Sequence, residues 1–375
     1  MIHRQLDHRQ YRLAGVFLLG LTLLNVYAVL KVVPYLRAGY QDFHVFYQAA
    51  ARIRAGQANQ VRDLHPVFEE LLFVPFTWMS FRAAYLLWTL LNLGLMALSL
   101  GIVRKTFAQV GALPWGFLIL MVTGFTPAVR AIMQGQDSVL VLFLVTLGLW
   151  LLALGDQVWA GVVLGTALFK FHIVIPLALL LAIRRPRLLA GFSCVAGALA
   201  AISAMMVGWS GLLEYVRFVL HLENHGAGGT PAAAMPNLHG VMTELVGKGN
   251  GTAANVLAMV CSLIVLGMTW WRIGRRKTSI RYAFVIAIVT GILVSYHTVI
   301  HDLTLLLPVV VLLFSASCAE SRAAMWTDTG LLLLLYTAVL LGSAVWPGLN
   351  PWWWIPVLFW IGRVFGNGEE EAVAA

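Results

Sequence analysis

Long apolar stretches alternate with short polar breaks, and the apolar blocks fall near 13–33, 83–103, 113–131, 138–154, 157–169, 173–183, 188–208, 253–271, 281–296, 302–316, 329–345 and 351–365. A bilayer core about 30 Å thick takes roughly 20 apolar residues in one helix, and somewhat fewer where the helix is tilted or buried in protein. The pattern predicts an all-α integral membrane protein, a polytopic bundle of about twelve transmembrane helices. The run from Leu13 to Val33 is longer than a signal-peptide core and has no convincing small-residue cleavage site after it, so it is kept as the first helix.

Blocks 157–169 and 173–183 are short, and Lys170, Phe171 and His172 lie between them. One continuous helix from 157 to 183 would drop a lysine and a histidine near the bilayer centre, which is expensive, so a broken pair is the preferred reading. The stretch 34–82 is too polar to face lipid before Leu71. Within it Phe43, Phe46, Tyr47, Ala50 and Ile53 recur at helical spacing and predict an interfacial helix ending near Gly56. A second long outside loop, 209–252, opens with Leu212, Leu213, Val216 and Leu220 and runs on through Gly226, Gly228 and Gly229. Trp346, Trp352, Trp353 and Trp354 read as an aromatic belt. Asn250-Gly251-Thr252 matches a glycosylation sequon, a weak three-residue signal. No internal repeat emerges, and residues 1–375 form one transmembrane domain with an acidic tail, 366–375, holding Glu369, Glu370 and Glu371.

Composition agrees with a bilayer as solvent: 60% of residues are hydrophobic and 11% charged, against about 25% charged in soluble domains. Cys194, Cys261 and Cys318 show no paired spacing, which argues against a disulfide or zinc framework. The net charge of +9 reads as topology before it reads as a nucleic-acid surface. With a cytoplasmic N-terminus, the short inside segments hold 15 of the 25 basic residues. They are Arg4, Arg9, Arg12, Arg104, Lys105, Arg184, Arg185, Arg187, Arg272, Arg275, Arg276, Lys277, Arg281, Arg322 and Arg363. That asymmetry predicts a multi-pass plasma-membrane protein with both termini cytoplasmic.

Under this topology the polar residues collect on the other side. Asp42 and His44 follow the first helix; Gln134, Gln136 and Asp137 join the third and fourth; Lys170 and His172 occupy the helix break. Asn237 and His239 lie in the second long loop, and His297, His301 and Asp302 join the ninth and tenth helices. Ionisable groups at the edge of a membrane domain are functional candidates, because each costs free energy to place there. Each also has a plainer reading: Asp42 as a helix cap, Lys170 snorkelling to the interface, Gln136 and Asp137 as a helix-start turn. His297 and His301 stand four apart with Asp302 beside the second, but a metal centre needs a third ligand and no H-E-x-x-H pattern is present. No metal or cofactor is expected.

Sugar transfer from a lipid phosphate would use such a set. A carboxylate takes the proton of the attacking hydroxyl while charge builds on the departing phosphate, where cations and N–H donors stabilise it. Asp42 is the candidate base, and Lys170, His172, His297 and His301 are the candidate phosphate partners. A secondary transporter or a lipid-binding membrane protein is the competing class, but a transporter binds near the midplane and usually shows related halves.

At these residues the sequence resembles glycosyltransferase family 87, membrane enzymes of the GT-C type that include polyprenol-phosphate-mannose-dependent mannosyltransferases and arabinofuranosyltransferases of cell-envelope synthesis. The resemblance rests on Asp42-Phe43-His44-Val45-Phe46-Tyr47-Gln48-Ala49-Ala50, on Ala84-Tyr85-Leu86-Leu87-Trp88 with Leu91-Asn92-Leu93, and on Gly135-Gln136-Asp137-Ser138. It continues through Ala160-Gly161-Val162-Val163-Leu164-Gly165 leading to Lys170, Pro236-Asn237-Leu238-His239-Gly240, Ser295-Tyr296-His297 and His301-Asp302-Leu303-Thr304. It implies a polyprenyl-phosphate sugar donor, a glycolipid or glycan acceptor, and Asp42 as general base, with His44, Tyr47, Gln136, Asp137, Lys170, His172, Asn237, His297, His301 and Asp302 around the substrates. Two departures stand out. The family often places proline straight after the lysine, where this chain has Phe171-His172, and often reads Tyr-Pro-Pro ahead of the segment written here His65-Pro66-Val67-Phe68-Glu69-Glu70.

Overall fold

The computed structural model describes residues 8–37, 39, 42–58, 65–225, 232–246, 250–275 and 279–317, together with 330, 333, 335–337, 357 and 360–362. Most of the blocks expected at 329–345 and 351–365 lies outside the described residues, as do Gly226, Gly228, Gly229, Trp346, the tryptophans at 352–354, Cys318 and the acidic tail. Among the described residues 87% are helical and none is in a strand.

The helices are α1 (His8–Arg37), α2 (Phe43–Arg54), α3 (Phe81–Thr106), α4 (Trp115–Thr123), α5 (Thr126–Gln134), α6 (Ser138–Ala153) and α7 (Gln157–Thr166). Then come α8 (Phe171–Ala182), α9 (Leu188–His225), α10 (Leu238–Val246), α11 (Gly251–Arg275), α12 (Ile280–Val294) and α13 (Leu307–Ser317). Short 3₁₀ segments at Leu71–Trp78, Leu168–Lys170 and Ile300–Leu306 connect them.

Among the described residues four stretches are long and apolar enough to cross a membrane alone: Arg12–Pro34, Phe81–Thr106, Leu188–Val219 and Gly251–Gly274. Two bent pairs raise the total to six. One is α4 with α5, bent by 69°, and the other is α7 with Leu168–Ala182, bent by 70°. The broken pair expected around Lys170 is therefore present, whereas block 113–131, read as one helix, is two. Four to six of the twelve expected crossings are found among the described residues, where several other apolar blocks make helices of sub-membrane length. Helix α6 has 16 residues, about 24 Å at 1.5 Å per residue, and α12 has 15. Both are buried in the bundle rather than presented to lipid.

Close helix contact is built on glycine. A Cβ on Gly161 of α7 would stand 1.9 Å from the Leu188 carbonyl oxygen, and one on Gly191 of α9 would stand 2.0 Å from the Val158 oxygen. The two helices therefore touch backbone to backbone, the contact that small residues permit between helices in a bilayer. Helix α2 carries the apolar face expected of it, with Phe43, Phe46, Ala49 and Ala50 buried. Phe43 and Phe46 pack with Phe73, Phe76 and Trp88 in a second, aromatic core. The Phe46 and Phe73 rings stack at 4.6 Å and Phe73 meets Trp88 edge-on at 4.9 Å, geometries that add to plain burial. This aromatic wedge ties the 34–82 excursion onto α3. Asn250, the first residue of the sequon, has a structural use: its carbonyl side chain accepts from Ala253 N at 3.4 Å at the start of α11.

Candidate active site

Asp42 sits at the start of α2 with helical backbone angles, and its side chain makes no capping bond. Its Oδ2 accepts instead from Gln136 Nε2 at 2.7 Å, across 94 residues of chain. Gln136 is held by the turn between α5 and α6. Gly135 in that turn has φ 65°, and an added Cβ would lie 2.7 Å from Phe43 Cβ, so both conformation and space demand glycine. Three residues on one face of α3 hold the same turn, which is what their spacing of three and four permits. Tyr85 OH donates to the Met133 oxygen, Trp88 Nε1 to the Gly135 oxygen at 2.8 Å and Asn92 Nδ2 to the Gln136 oxygen at 3.3 Å.

Beside this turn lies a buried charge cluster. Lys170 Nζ is 3.0 Å from Asp137 Oδ1 and 3.0 Å from Asp302 Oδ1, with side-chain exposures of 8% for the lysine and 1% for each acid. Asp302 also accepts from Ser138 Oγ at 2.8 Å and from Val299 N at 3.0 Å. Besides the lysine, Asp137 faces the Glu69 carboxyl. An ammonium has three N–H groups, and two face carboxylates here. His301 approaches Asp302 through Nε2 at 3.8 Å and Gln134 Oε1 through Nδ1 at 3.3 Å.

A third set is organised by Ser295. Its hydroxyl donates to the His297 oxygen at 2.8 Å and so accepts at 2.7 Å from His172 Nδ1, which leaves His172 Nε2 as the lone-pair nitrogen. Asn237 Nδ2 donates to the Ser295 oxygen at 2.8 Å while its Oδ1 accepts from Gly240 N at 2.8 Å. His239 Nδ1 meets the Tyr296 oxygen at 3.0 Å. The His172 and His297 rings stand 6.3 Å apart, edge to face.

The expected loops thus converge: 42 with 136, 137 with 170 and 302, 134 with 301, and 172, 237 and 239 with 295–296. His44 and Tyr47 stand apart from this network. Gln48 Nε2 lies 2.6 Å from His44 Nε2, and the His44 ring lies 5.1 Å from Phe81; Tyr47 OH donates to the Met79 oxygen at 2.8 Å. Both help seat α2 on the start of α3.

Glu69 and Glu70, which no role was expected of, are both fully buried, with 0% exposure. Neither oxygen of Glu69 meets a hydrogen-bond donor. Burial, with Asp137 and Glu70 alongside, pushes the Glu69 carboxyl well above its ordinary range. His65, Glu69 and Asp137 each offer a ligand atom, all within 4.8 Å of one another. Metal-ligand spacing therefore occurs here, not at the His297 and His301 pair considered from sequence.

A cavity of about 1020 Å³ opens next to this point. Its walls come from His65, Pro66 and Phe68, from Leu168 and Phe171 on either side of Lys170, and from α9 between Ala196 and Phe218. Apolar side chains dominate the wall, with Glu214, Arg217, Ser203 and Ser210 among them.

An all-helical bundle with membrane-length apolar helices and a buried acid, lysine and histidine cluster at their connecting loops defines a polytopic membrane protein with a built polar site. The family model of glycosyltransferase family 87 matches residues 64–296. The chain belongs to that family and is a membrane glycosyltransferase. The matched span holds Gln136, Asp137, Lys170, His172, Asn237 and His239, while Asp42, His44, Tyr47, His297, His301 and Asp302 lie beyond its ends. No curated protein and no solved structure matches the chain.

Proposed function

We propose that the protein transfers a sugar, mannose in the first instance, from a polyprenyl phosphate to a hydroxyl of a glycolipid or glycan on the extracytoplasmic face of the plasma membrane, with Asp42 as general base. In this reading the whole chain is one catalytic domain with both termini cytoplasmic. The observation that carries it is the state of Asp42: half-buried, free of capping duty and fixed by Gln136 beside a buried charge cluster.

As the acceptor oxygen attacks the anomeric carbon, Asp42 takes its proton. The bond from that carbon to the phosphate oxygen breaks, and its electron pair leaves on polyprenyl phosphate. Lys170 is the first donor to the developing charge, as preorganised donors are in acyl and phosphoryl sites, with His297 and His301 behind it, while His172, whose Nε2 carries the lone pair, accepts from the substrate. Asn237 holds the 295–297 segment, which carries His297 and, through Ser295, fixes His172. The apolar cavity beside Leu168 and Phe171 takes the polyprenyl chain.

The test is release of polyprenyl phosphate from a polyprenyl-phosphate sugar by the purified full-length protein, with acceptor present. Asp42→Asn keeps shape and loses the base. Turnover at saturating donor should fall by about a hundred- to ten-thousand-fold with thermal unfolding unchanged. A variant within a few-fold of wild-type turnover would refute the assignment.

A further inference from the structure

We infer that His65, Glu69 and Asp137 form a binding site for one divalent cation of the Mn²⁺ or Mg²⁺ kind, open towards the adjoining cavity. The three ligand atoms lie within 4.8 Å of one another, a separation that opposite ligands span at about 2.0–2.6 Å each from a central hard cation. Two carboxylates and one imidazole form a mixed oxygen and nitrogen set that suits such an ion, and three protein ligands leave coordination positions for a phosphate oxygen and water.

Glu69 points to the ligand independently of the clustering. It is fully buried, neither of its oxygens meets a donor, and its carboxylate is aimed at Asp137 and His65. A buried carboxylate without a partner is costly, and the usual remedies are a proton or a cation. Charge balance favours the cation. Lys170 is already committed to Asp137 and Asp302. Glu69, Asp137 and Asp302, with the buried Glu70 alongside Glu69, therefore face one ammonium, and a divalent ion reduces that deficit of positive charge.

The position also suits the ion's use. His65 lines the cavity, as do Leu168 and Phe171 on either side of Lys170, so a phosphate whose lipid chain lies in the cavity approaches the cation from the side of His65. That use rests on the reading under Proposed function, whereas the binding site does not.

The experiment measures binding without transfer, so its failure and that of the transfer reading are distinguishable. Full-length protein in detergent micelles, stripped with EDTA, is titrated with MnCl₂, and free Mn²⁺ is read from its electron paramagnetic resonance signal. The expected result is one tightly held Mn²⁺ per chain, displaced by excess Mg²⁺. Glu69→Gln and His65→Ala should each weaken it by about tenfold or more, as changes around a metal site commonly do, and Asp156→Asn should leave it unchanged. Because His65 is only half-buried, His65→Ala carries the test should Glu69→Gln fail to fold. No stoichiometric Mn²⁺, or unchanged affinity in a folded His65→Ala or Glu69→Gln protein, overturns the proposal and leaves a proton shared between Glu69 and Asp137.

Discussion

Replacing Lys170 by methionine removes the one charge that joins Asp137 to Asp302 while keeping much of the side-chain volume. The two acids are not left in equal difficulty. Asp302 retains Ser138 Oγ at 2.8 Å and Val299 N at 3.0 Å, whereas Asp137 keeps only another acid, the Glu69 carboxyl, beside it. Breaking a buried pair by deleting one partner costs about 3–5 kcal/mol, because a charge is stranded where water cannot reach it. With 1% exposure on both acids, Lys170→Met should lose an amount in that range, and most of it belongs to Asp137. Adding Asp137→Asn takes away the stranded charge and should restore about 2 kcal/mol, a coupling typical of contacting residues. The assay is reversible unfolding of the full-length protein in micelles with EDTA present, run on the wild type, both single variants and the double. Stability of Lys170→Met within about 0.5 kcal/mol of wild type, the range of ordinary surface changes, would refute the buried ion cluster. So would strict additivity of the two substitutions.

Gly135→Ala should destabilise by about 1–3 kcal/mol, since it combines a left-handed backbone with a clash against Phe43, and should lower transfer by displacing Gln136 from Asp42; unchanged stability would contradict the turn described. Gly161→Leu should separate α7 from α9, seen as loss of a disulfide engineered between those helices, while the same change at Gly94, which has no neighbour within 4 Å, should be silent. Topology is tested by cysteine at Asp156, an exposed position placed on the cytoplasmic side by the distribution of basic residues. An impermeant thiol reagent added outside intact cells should not label it, and labelling would invert the bundle.

Spans were legible wherever apolar runs were long and uninterrupted, as at 13–33, 83–103, 188–208 and 253–271. The count was less so, because hydropathy records that a block avoids water and is silent on whether lipid or protein surrounds it. Helix α6 illustrates this with nine of its residues buried inside the bundle. The convergence of Asp42, Gln136, Asp137, Lys170 and Asp302 was legible through the cost of placing ionisable groups beside a bilayer, but their pairing was not, since partners 33 to 132 residues apart leave no periodic trace. Glu69 escaped because two adjacent acids in a short polar excursion look like a solvated turn. The available signal was their setting, Val67-Phe68 before them and Leu71-Leu72-Phe73 after. His44 and Tyr47 are polar neighbours of Asp42 in sequence but lie apart from its hydrogen-bond network, because side chains two and five positions along a helix point away from its first residue.

The order in which the ion cluster's members leave the ribosome sets when the site comes into being. Asp137 and Lys170 are synthesised 33 positions apart and Asp302 another 132 later, so a growing chain holds the lysine against a single acid until the segment after α12 is inserted. Chains that stall before that point carry Asp42 and Gln136 but lack the second carboxylate, Ser295 and all that it organises. A truncated chain lingering in the membrane therefore has no assembled ion cluster, since one of the two acids that hold Lys170 is still to come.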